Sequence, residues 1–267
     1  FKVLSMLGLG RDRIVRVPVD DQGRMRADAL PPIDKPAIVC IQAGNVNSGA
    51  FDPAAEIIAH AHKAGAWVHV DGAFGLWARA SKTLAPLAAG LEAADSWATD
   101  AHKWLNVPYD CGVALVREPD NLRRAMSISG AYLLASGQRD QIDYSPDSSR
   151  RARAVDVWAS LKSLGRSGLA EMIERNCRQA SQLAESLRRA NIEILNDVVL
   201  NQVVVAFGDA DRTNRVIEAV QIDGTCWAGA TVWRNRTAMR ISVSGWATKD
   251  ADIERSLEAI LKAHRDS

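Results

Sequence analysis

The sequence predicts an α/β protein with a mainly parallel sheet flanked by helices, followed by a small C-terminal α+β unit. Between residues 36 and 71 an apolar strand, an amphipathic helix and a second apolar strand follow one another closely, which is typical of a right-handed, parallel βαβ unit. From residue 151 helical periodicity takes over, and after residue 191 shorter strands and helices alternate. These changes predict two domains, 1–165 and 166–267.

Local patterns predict the elements of the first unit. Residues 36–43 (PAIVCIQA) are a β-branched apolar run that enters a glycine- and asparagine-rich loop, so we expect a buried strand. Pro53 suits the first position of the next helix, and Gly65 suits its end. Further strands are expected at residues 66–71, 95–99 and 111–116, and a loop at about 125–148.

A long helix is predicted from residue 151, because apolar residues recur at helical spacing. Gly165 and Gly168 are expected to bend or divide it. Strands at 192–195, 202–207 and 238–243 and helices at 213–221 and 250–264 would complete the small unit. The residues that share a helix face are Val155, Trp158 and Leu161, then Leu169, Met172 and Ile173, then Leu183 and Leu187.

Composition excludes several function classes. The 33 basic and 32 acidic residues nearly cancel, so net charge favours neither a nucleic acid nor an anionic membrane as partner. The sequence has no apolar run near the roughly 20 residues that span a bilayer and no signal-peptide pattern, so we expect a cytoplasmic protein. The four cysteines form no C-x-x-C pair, which favours reduced thiols and predicts no metal site. A chain that starts at Phe1 is expected to be part of a longer protein.

Two segments place polar residues at the carboxyl ends of predicted strands, where open α/β sheets bind ligands. HVDGAFG (69–75) carries Asp71, and TDAHKW (99–104) carries Asp100, His102 and Lys103. Pyridoxal phosphate (PLP) chemistry needs an amine that forms a Schiff base and a carboxylate that keeps the pyridine nitrogen protonated. Lys103 and Asp71 supply this pair. Desolvation and nearby positive charge are expected to favour the neutral, nucleophilic amine of Lys103.

Each of these residues also has a simpler explanation. A lone aspartate at a strand end usually caps a loop or helix, and a lone His-Lys pair usually lies in a solvated turn. Their order on consecutive elements of one sheet favours the functional interpretation. Competing motifs fail, because Arg13 stands where G-x-G-x-x-G needs its third glycine, and neither a P-loop nor G-x-S-x-G occurs. His60 and His62 are two apart on a helix and face different directions, which argues against a shared metal.

The sequence resembles the group II PLP-dependent amino acid decarboxylases, the fold type I family of aromatic-L-amino-acid and glutamate decarboxylases. The resemblance covers nearly the whole chain, and its most specific part is HKW-x-x-x-x-x-D-C-G (102–112). It implies PLP fold type I, PLP as cofactor, an amino acid substrate and a homodimer with a shared site. Matching segments are QAGNVNSGAFDP (42–53), HVDGAFG (69–75), DSWATDAHKWLNVPYDCGVALV (95–116), SRRARAVDVWASLKSLGRSGL (149–169) and MRISVSGWAT (239–248).

The resemblance assigns roles residue by residue. Lys103 matches the Schiff-base lysine, Asp71 the carboxylate on the pyridine nitrogen, and Ala73 the small residue packed on the ring. Tyr132, in a stretch without clear period, matches the catalytic-loop tyrosine that returns a proton. His102 matches the histidine beside the lysine, and it is the alternative to Tyr132 as the residue that returns the proton. The remaining cofactor contacts that it implies are Asp100, Asn45 and, from the neighbouring subunit, Ser148 and Ser149.

The leading prediction is therefore α-decarboxylation of an L-amino acid to an amine and carbon dioxide. Two alternatives stay open. Transamination, aldol cleavage and desulfuration use the same lysine and carboxylate, and a truncated, non-catalytic chain would keep the fold and the dimer surface. The family's ring-stacking residue and glycine- and serine-rich phosphate segment would lie upstream of Phe1, so half of the cofactor site is expected outside this chain.

Overall fold

The computed structural model describes residues 2–128 and 138–267 of the chain. Within these residues it contains two four-stranded sheets and six α-helices. The helices are α1 Lys2–Met6, α2 Ala54–Lys63, α3 Pro119–Met126, α4 Arg153–Arg189, α5 Ala210–Asp223 and α6 Asp250–Asp266. The strands are β1 Ile38–Gln42, β2 Trp67–Asp71, β3 Ser96–Asp100, β4 Gly112–Val116, β5 Glu193–Ile194, β6 Gln202–Ala206, β7 Gly229–Trp233 and β8 Arg236–Ser242.

The first sheet has the order β1-β2-β3-β4. Strands β1, β2 and β3 are parallel, and β4 runs antiparallel to β3. Gln42 pairs with Asp71, and Asp71 pairs with Ala98, so the carboxyl ends of three neighbouring strands meet at one edge. The predicted α/β class with a mainly parallel sheet is confirmed.

Helix α2 forms the crossover of the βαβ unit, as the sequence predicts. Its residues Ile57 and Ile58 are buried, because their spacing puts them on the face toward the sheet. Pro53 lies at the N-cap, one position before the predicted first helical position. Gly65 has a φ of 72° and lets the chain turn directly into β2.

The second sheet has the order β5-β6-β8-β7 and is antiparallel throughout. All five residues of β6 are buried, and α5 and α6 pack with it in a separate hydrophobic core. Strand β7 is missing from the sequence prediction. Its GATVW segment is short and begins with glycine, which disfavours strands locally, and pairing with β8 supplies the hydrogen bonds that define it.

Helix α4 joins the two cores. Gly165, with φ 63° and ψ −176°, interrupts it as predicted, because this conformation is not helical. After the interruption Leu169 and Ile173 pack in the first core, whereas Leu183 and Leu187 pack in the second.

The predicted stripe before the interruption is exposed rather than covered by the described residues. Val155, Trp158 and Leu161 are 59%, 63% and 38% exposed. None of the described helices combines the length and the apolarity that crossing a bilayer requires.

Candidate active site

Two turns at the carboxyl edge of the first sheet carry the predicted chemistry. Asp71 is the last residue of β2, and Lys103 follows the end of β3 by three residues. The backbone N–H of Gly72 donates to the Ala98 carbonyl at 2.8 Å, and the N–H of Asp100 to the Ala73 carbonyl at 3.4 Å. The structure thus brings the two sequence motifs together.

Glycines allow this close packing of the backbone. A Cβ atom on Gly72 would lie 2.7 Å from the Leu76 Cβ atom. One on Gly75 would lie 2.4 Å from the carbonyl oxygen of Ala43, which accepts a hydrogen bond from the Gly75 N–H at 3.0 Å. A side chain at Gly75 would push the turn away from the end of β1, and one at Gly72 would displace Leu76, so these two glycines keep the Asp71 turn in place.

Lys103 is bound by a carboxylate in this structure. Its Nζ atom lies 2.8 Å from Oδ2 of Asp100, and the two side chains are 35% and 28% exposed. The expected desolvation and positive neighbour are therefore wrong for the described residues, because the nearest charge is negative and water reaches the amine. An ammonium held by a carboxylate is not a nucleophile, so Lys103 must leave Asp100 and lose a proton before it attacks a carbonyl.

Only one carboxylate oxygen of Asp71 accepts a hydrogen bond from the described residues. Its Oδ1 atom accepts a hydrogen bond from the Ala73 N–H at 3.1 Å, and its side chain is exposed. Within the described part of the chain, Oδ2 makes no hydrogen bond and Asp71 has no cationic partner. A protonated ring nitrogen would supply the partner that this carboxylate lacks.

His102 is held by the backbone of Cys111. The Cys111 N–H donates to His102 Nδ1 at 2.9 Å, and the carbonyl oxygen of Cys111 lies 3.0 Å from the same nitrogen. Nδ1 can therefore accept a hydrogen bond in the neutral imidazole or donate one in the imidazolium. The ring of Tyr109 stacks on it, with centroids 4.2 Å apart and planes 37° apart. Both forms of the imidazole therefore have a partner at Nδ1, and among the described residues Nε2 makes no hydrogen bond.

A histidine on β2 also lies close to Asp71. His69 Nδ1 is 2.8 Å from the Ser96 hydroxyl oxygen on β3. Burial lowers the pKa of His69, although the charge of Asp71 acts in the opposite direction. His69 points to the same sheet face as Asp71, two residues along the strand, and its neutral ring leaves Asp71 without a nearby cation.

Three residues beside Lys103 escaped the sequence prediction. The Phe74 ring centroid lies 5.9 Å from Lys103 Nζ and 5.8 Å from the Trp104 ring. Trp104 is 0% exposed, and its indole Nε1–H donates to Oδ1 of Asn176, also 0% exposed, at 3.0 Å. A usable signal existed for Asn176, because it falls within the apolar stripe of α4, where an uncompensated amide would be costly.

Three other predicted site residues, Asn45, Ser148 and Ser149, make no hydrogen bond to Lys103, Asp71 or Asp100 in the described part of the chain. The Asn45 amide is used by its own loop, since Oδ1 accepts from Asn47 N–H at 2.9 Å and Nδ2 donates to Gln42 Oε1 at 3.0 Å. Ser148 and Ser149 are exposed and make no hydrogen bond to Lys103, Asp71 or Asp100. Tyr132 lies outside the described residues. These four assignments stay predictions.

The donor set fits PLP. A lysine amine and an unpaired carboxylate lie on adjacent turns, which the hydrogen bond from Asp100 N–H to the Ala73 carbonyl joins. Among the described residues there is no group of three or more histidine, cysteine or acidic side chains placed to hold a metal.

Comparisons with known proteins identify the family. A family model described as "Pyridoxal-dependent decarboxylase conserved domain" matches residues 6–207. The chain is similar to an aromatic-L-amino-acid decarboxylase from Drosophila lebanonensis, with 28% identity over 270 residues, 96% of this chain and 66% of that relative. An acidic amino acid decarboxylase from Bos taurus is 31% identical over 202 residues, 70% of this chain and 39% of that relative.

Solved structures share the fold. Mouse CSAD in its apo form matches with a TM-score of 0.90 at 24% sequence identity, covering 100% of this chain and 61% of that chain. The chain therefore spans between 39% and 66% of the length of these three proteins.

Proposed function

The chain belongs to the pyridoxal-dependent decarboxylase family, and from this we propose that the protein converts an L-amino acid into its amine and carbon dioxide. The observation that carries the proposal is the placement of Lys103 and Asp71 on adjacent turns, with Asp100 N–H bound to the Ala73 carbonyl at 3.4 Å between them. PLP bound there would accept the electron pair that the departing carboxylate leaves behind.

Each described residue of the site has a separate role in the proposed reaction. With PLP bound, Asp71 would hold the ring nitrogen, Ala73 would pack against the ring, and Lys103 would supply the amine that attaches the cofactor. Asp100 holds the amine of Lys103 in place, with Oδ2 2.8 Å from Nζ in this structure. His102 positions a proton at Nε2, because the Cys111 backbone serves Nδ1 in both charge states.

The residues without a contact to this cluster keep the roles that the resemblance gives them. Asn45 would contact the cofactor, Tyr132 would return a proton, and Ser148 and Ser149 would reach the site of a second copy. Asp100, which does contact Lys103, would also approach the cofactor. A homodimer is supported by the exposed apolar stripe Val155–Trp158–Leu161 on α4, since apolar stripes of this kind are typical of interfaces.

Domain division and location belong to the same proposal. The interruption of α4 at Gly165 supports domains 1–165 and 166–267, although the hydrophobic core changes only between Cys177 and Ala180. All four cysteines are free thiols, which supports the reducing environment of the cytoplasm.

The lysine assignment is tested by trapping. The purified protein is mixed with PLP, reduced with borohydride and digested, and the peptide that carries the cofactor is identified by mass spectrometry. We expect the label on Lys103 in the unmodified protein and its loss in Lys103→Ala. Lys162→Ala, which removes an exposed lysine of α4, is the matched control and should keep the label. A label that survives in Lys103→Ala would refute the assignment.

The reaction itself is tested by its products. Release of carbon dioxide and a stoichiometric amine supports decarboxylation, whereas a keto acid or an aldehyde supports another reaction of the same fold. A protein that takes up no PLP would be the non-catalytic chain that the sequence leaves open. Amino acids with aromatic and with acidic side chains are the first substrates to compare, because the relatives' names include both classes.

A further inference from the structure

A buried hydrogen-bond network connects the turn that carries Lys103 to the loop that follows β8 of the second sheet. Trp104, the residue directly after Lys103, donates from Nε1 to Asn176 Oδ1 at 3.0 Å. Asn176 Nδ2 in turn lies 3.3 Å from the carbonyl oxygen of Gly245, in the loop between β8 and α6. We call Trp104, Asn176 and Gly245 the Asn176 network.

A neighbouring glutamine extends the network along α4. Asn176 Nδ2 also donates to Gln179 Oε1 at 3.3 Å. Gln179 Nε2 donates to the Thr248 carbonyl at 3.1 Å and to Asp250 Oδ1 at 2.9 Å. Asn176 and Gln179 are both 0% exposed, so each amide is removed from water and depends on these partners.

The polar character of this contact is unusual for its position. Asn176 lies on the same side of α4 as Ile173 and Ala180, which are 0% exposed and belong to the two cores. Leucine at this position would bury apolar area without desolvating an amide. A directional hydrogen bond instead fixes the rotation of one ring, the Trp104 indole, and Lys103 is bonded to the backbone of that residue.

A second link joins the same two segments from the solvent side. Asn106 Nδ2 donates to the Trp104 carbonyl at 2.5 Å and to the Ser244 carbonyl at 2.8 Å, and its Oδ1 accepts from Trp246 N–H at 3.3 Å. The side chain and the carbonyl of Trp104 are thus both attached to residues 244–246. These hydrogen bonds restrain the turn that carries Lys103 at Trp104, the residue directly after the lysine, and we call them the clamp.

We propose that Asn176 is a positioning residue for Lys103, acting through the Trp104 indole, and that it couples the direction of the lysine to the loop between β8 and α6. The inference rests on the proposed role of Lys103 as the cofactor-binding lysine. Asn176 does not touch the reacting atoms. It holds the turn in which Nζ of Lys103 lies 2.8 Å from Oδ2 of Asp100.

The competing explanation is that Asn176 supports only the fold. Both explanations predict a less stable Asn176→Leu protein, so stability does not separate them. They differ in two predictions. Only a positioning role makes Asn176→Leu weaken the binding of PLP at Lys103, and only that role makes this effect depend on the Trp104 indole.

The experiment is a double-mutant cycle on the PLP-reconstituted protein with Asn176→Leu, Trp104→Phe and the double variant. The readouts are the dissociation constant for PLP, the pH at which the visible absorbance of the lysine-bound cofactor changes, and hydrogen–deuterium exchange of the peptide covering residues 101–107. We expect Asn176→Leu to raise the dissociation constant about tenfold, or about 1.4 kcal/mol. Faster exchange at 101–107 and a shifted pH of the absorbance change should accompany it. The double variant should behave like Trp104→Phe alone, because both remove the same bond.

Asn201→Leu is the matched control. Asn201 is also 0% exposed, and its Nδ2 donates at 2.9 Å to the carbonyl of Val243, beside the same loop, without contacting Trp104. Its PLP dissociation constant and its exchange at 101–107 should change less than about twofold. Equal effects of Asn201→Leu and Asn176→Leu would overturn the proposal, as would additive effects of Asn176→Leu and Trp104→Phe.

Asn106→Gly covers the case in which Asn176→Leu does not fold. Asn106 has a φ of 57°, which glycine adopts without strain, so this variant removes the second link and leaves the backbone conformation accessible. It should also accelerate exchange at 101–107, and unchanged exchange there would count against the clamp. Failure of the proposed function is recognised separately, because the unmodified protein would then place no borohydride-stable label on Lys103.

Discussion

Gly75→Ala tests whether the close approach of the Asp71 turn to β1 holds the site together. The new Cβ would lie 2.4 Å from the Ala43 carbonyl oxygen, 2.5 Å from its carbon and 2.7 Å from the Gly44 nitrogen. These are backbone atoms that no side-chain rotation can move. Reaching ordinary contact at 3.4 Å requires the two segments to separate by about 1 Å.

The expected cost follows from what this separation breaks. Overpacking of a buried site costs about 1–3 kcal/mol. The Gly75 N–H to Ala43 carbonyl bond would be lost as well, and leaving a buried group unpaired costs about 1–3 kcal/mol. The free energy of unfolding should therefore fall by about 2–6 kcal/mol in urea titrations, and PLP affinity should fall with it, because Asp71 and Ala73 sit on the displaced turn.

Gly168→Ala is the matched control. Its Cβ would lie 3.6 Å from the nearest atom outside its own helical backbone, Leu164 Cβ, which is ordinary contact. Alanine is favoured over glycine in a helix by about 1 kcal/mol, so this variant should be as stable as the unmodified protein or more stable. A Gly75→Ala protein within about 0.5 kcal/mol of the unmodified protein would refute the steric argument.

Three further variants test the electrostatics. Burial lowers the pKa of His69, although the charge of Asp71 acts in the opposite direction, so the unfolded chain binds this proton at a higher pH than the folded protein does. The contribution of the neutral ring to the free energy of unfolding is therefore fully present above about pH 6.5 and is lost as the pH falls through the lower folded pKa. In urea titrations, His69→Asn should weaken this pH dependence. Asp100→Asn should change the free energy of unfolding by less than about 1 kcal/mol, since the pair is partly exposed, but should speed attachment of PLP to Lys103 in stopped-flow absorbance. Side-chain hydrogen bonds lower the pKa of Glu174, so its contribution is complete above about pH 4.3 and is lost as pH falls through the lower folded value; Glu174→Gln should flatten acid unfolding there.

Matched substitutions control for the loss of each residue type. His60→Asn removes an exposed histidine of α2, and Glu185→Gln removes an exposed glutamate of α4. If His60→Asn or Glu185→Gln changed the pH dependence as much as its buried or hydrogen-bonded counterpart, the local explanation would be wrong. Slower attachment of PLP in Asp100→Asn would show that Asp100 assists Lys103 rather than restraining it.

Local sequence pattern was sufficient to predict a strand or helix wherever the periodicity of one short segment determines its structure. The run PAIVCIQA, the helix after Pro53 and the strand that ends at Asp71 each fix their own periodicity, and the short connections require a parallel βαβ unit. The pair Lys103 and Asp71 was recognisable because both follow strands of one sheet, whose carboxyl ends must meet. The family resemblance added the cofactor and the reaction class.

Local pattern failed where partners are distant in sequence. Strand β7 exists through pairing with β8, which the composition of GATVW does not reveal. The stripe Val155–Trp158–Leu161 has the period of a buried face, yet period alone does not say what covers it, and in the described structure it is exposed.

The sequence by itself determined the α/β class, the βαβ unit and the two residues, Lys103 and Asp71, on which the cofactor assignment depends, because these follow from periodicity and from motifs a few residues long. Only the tertiary structure decided what surrounds them: the Asp100 carboxylate on Lys103, the Cys111 backbone on His102, and Asn176 on the Trp104 indole across 72 positions of sequence. Contacts of this kind depend on how helices and sheets pack in space, and residue order constrains that packing only through the whole fold.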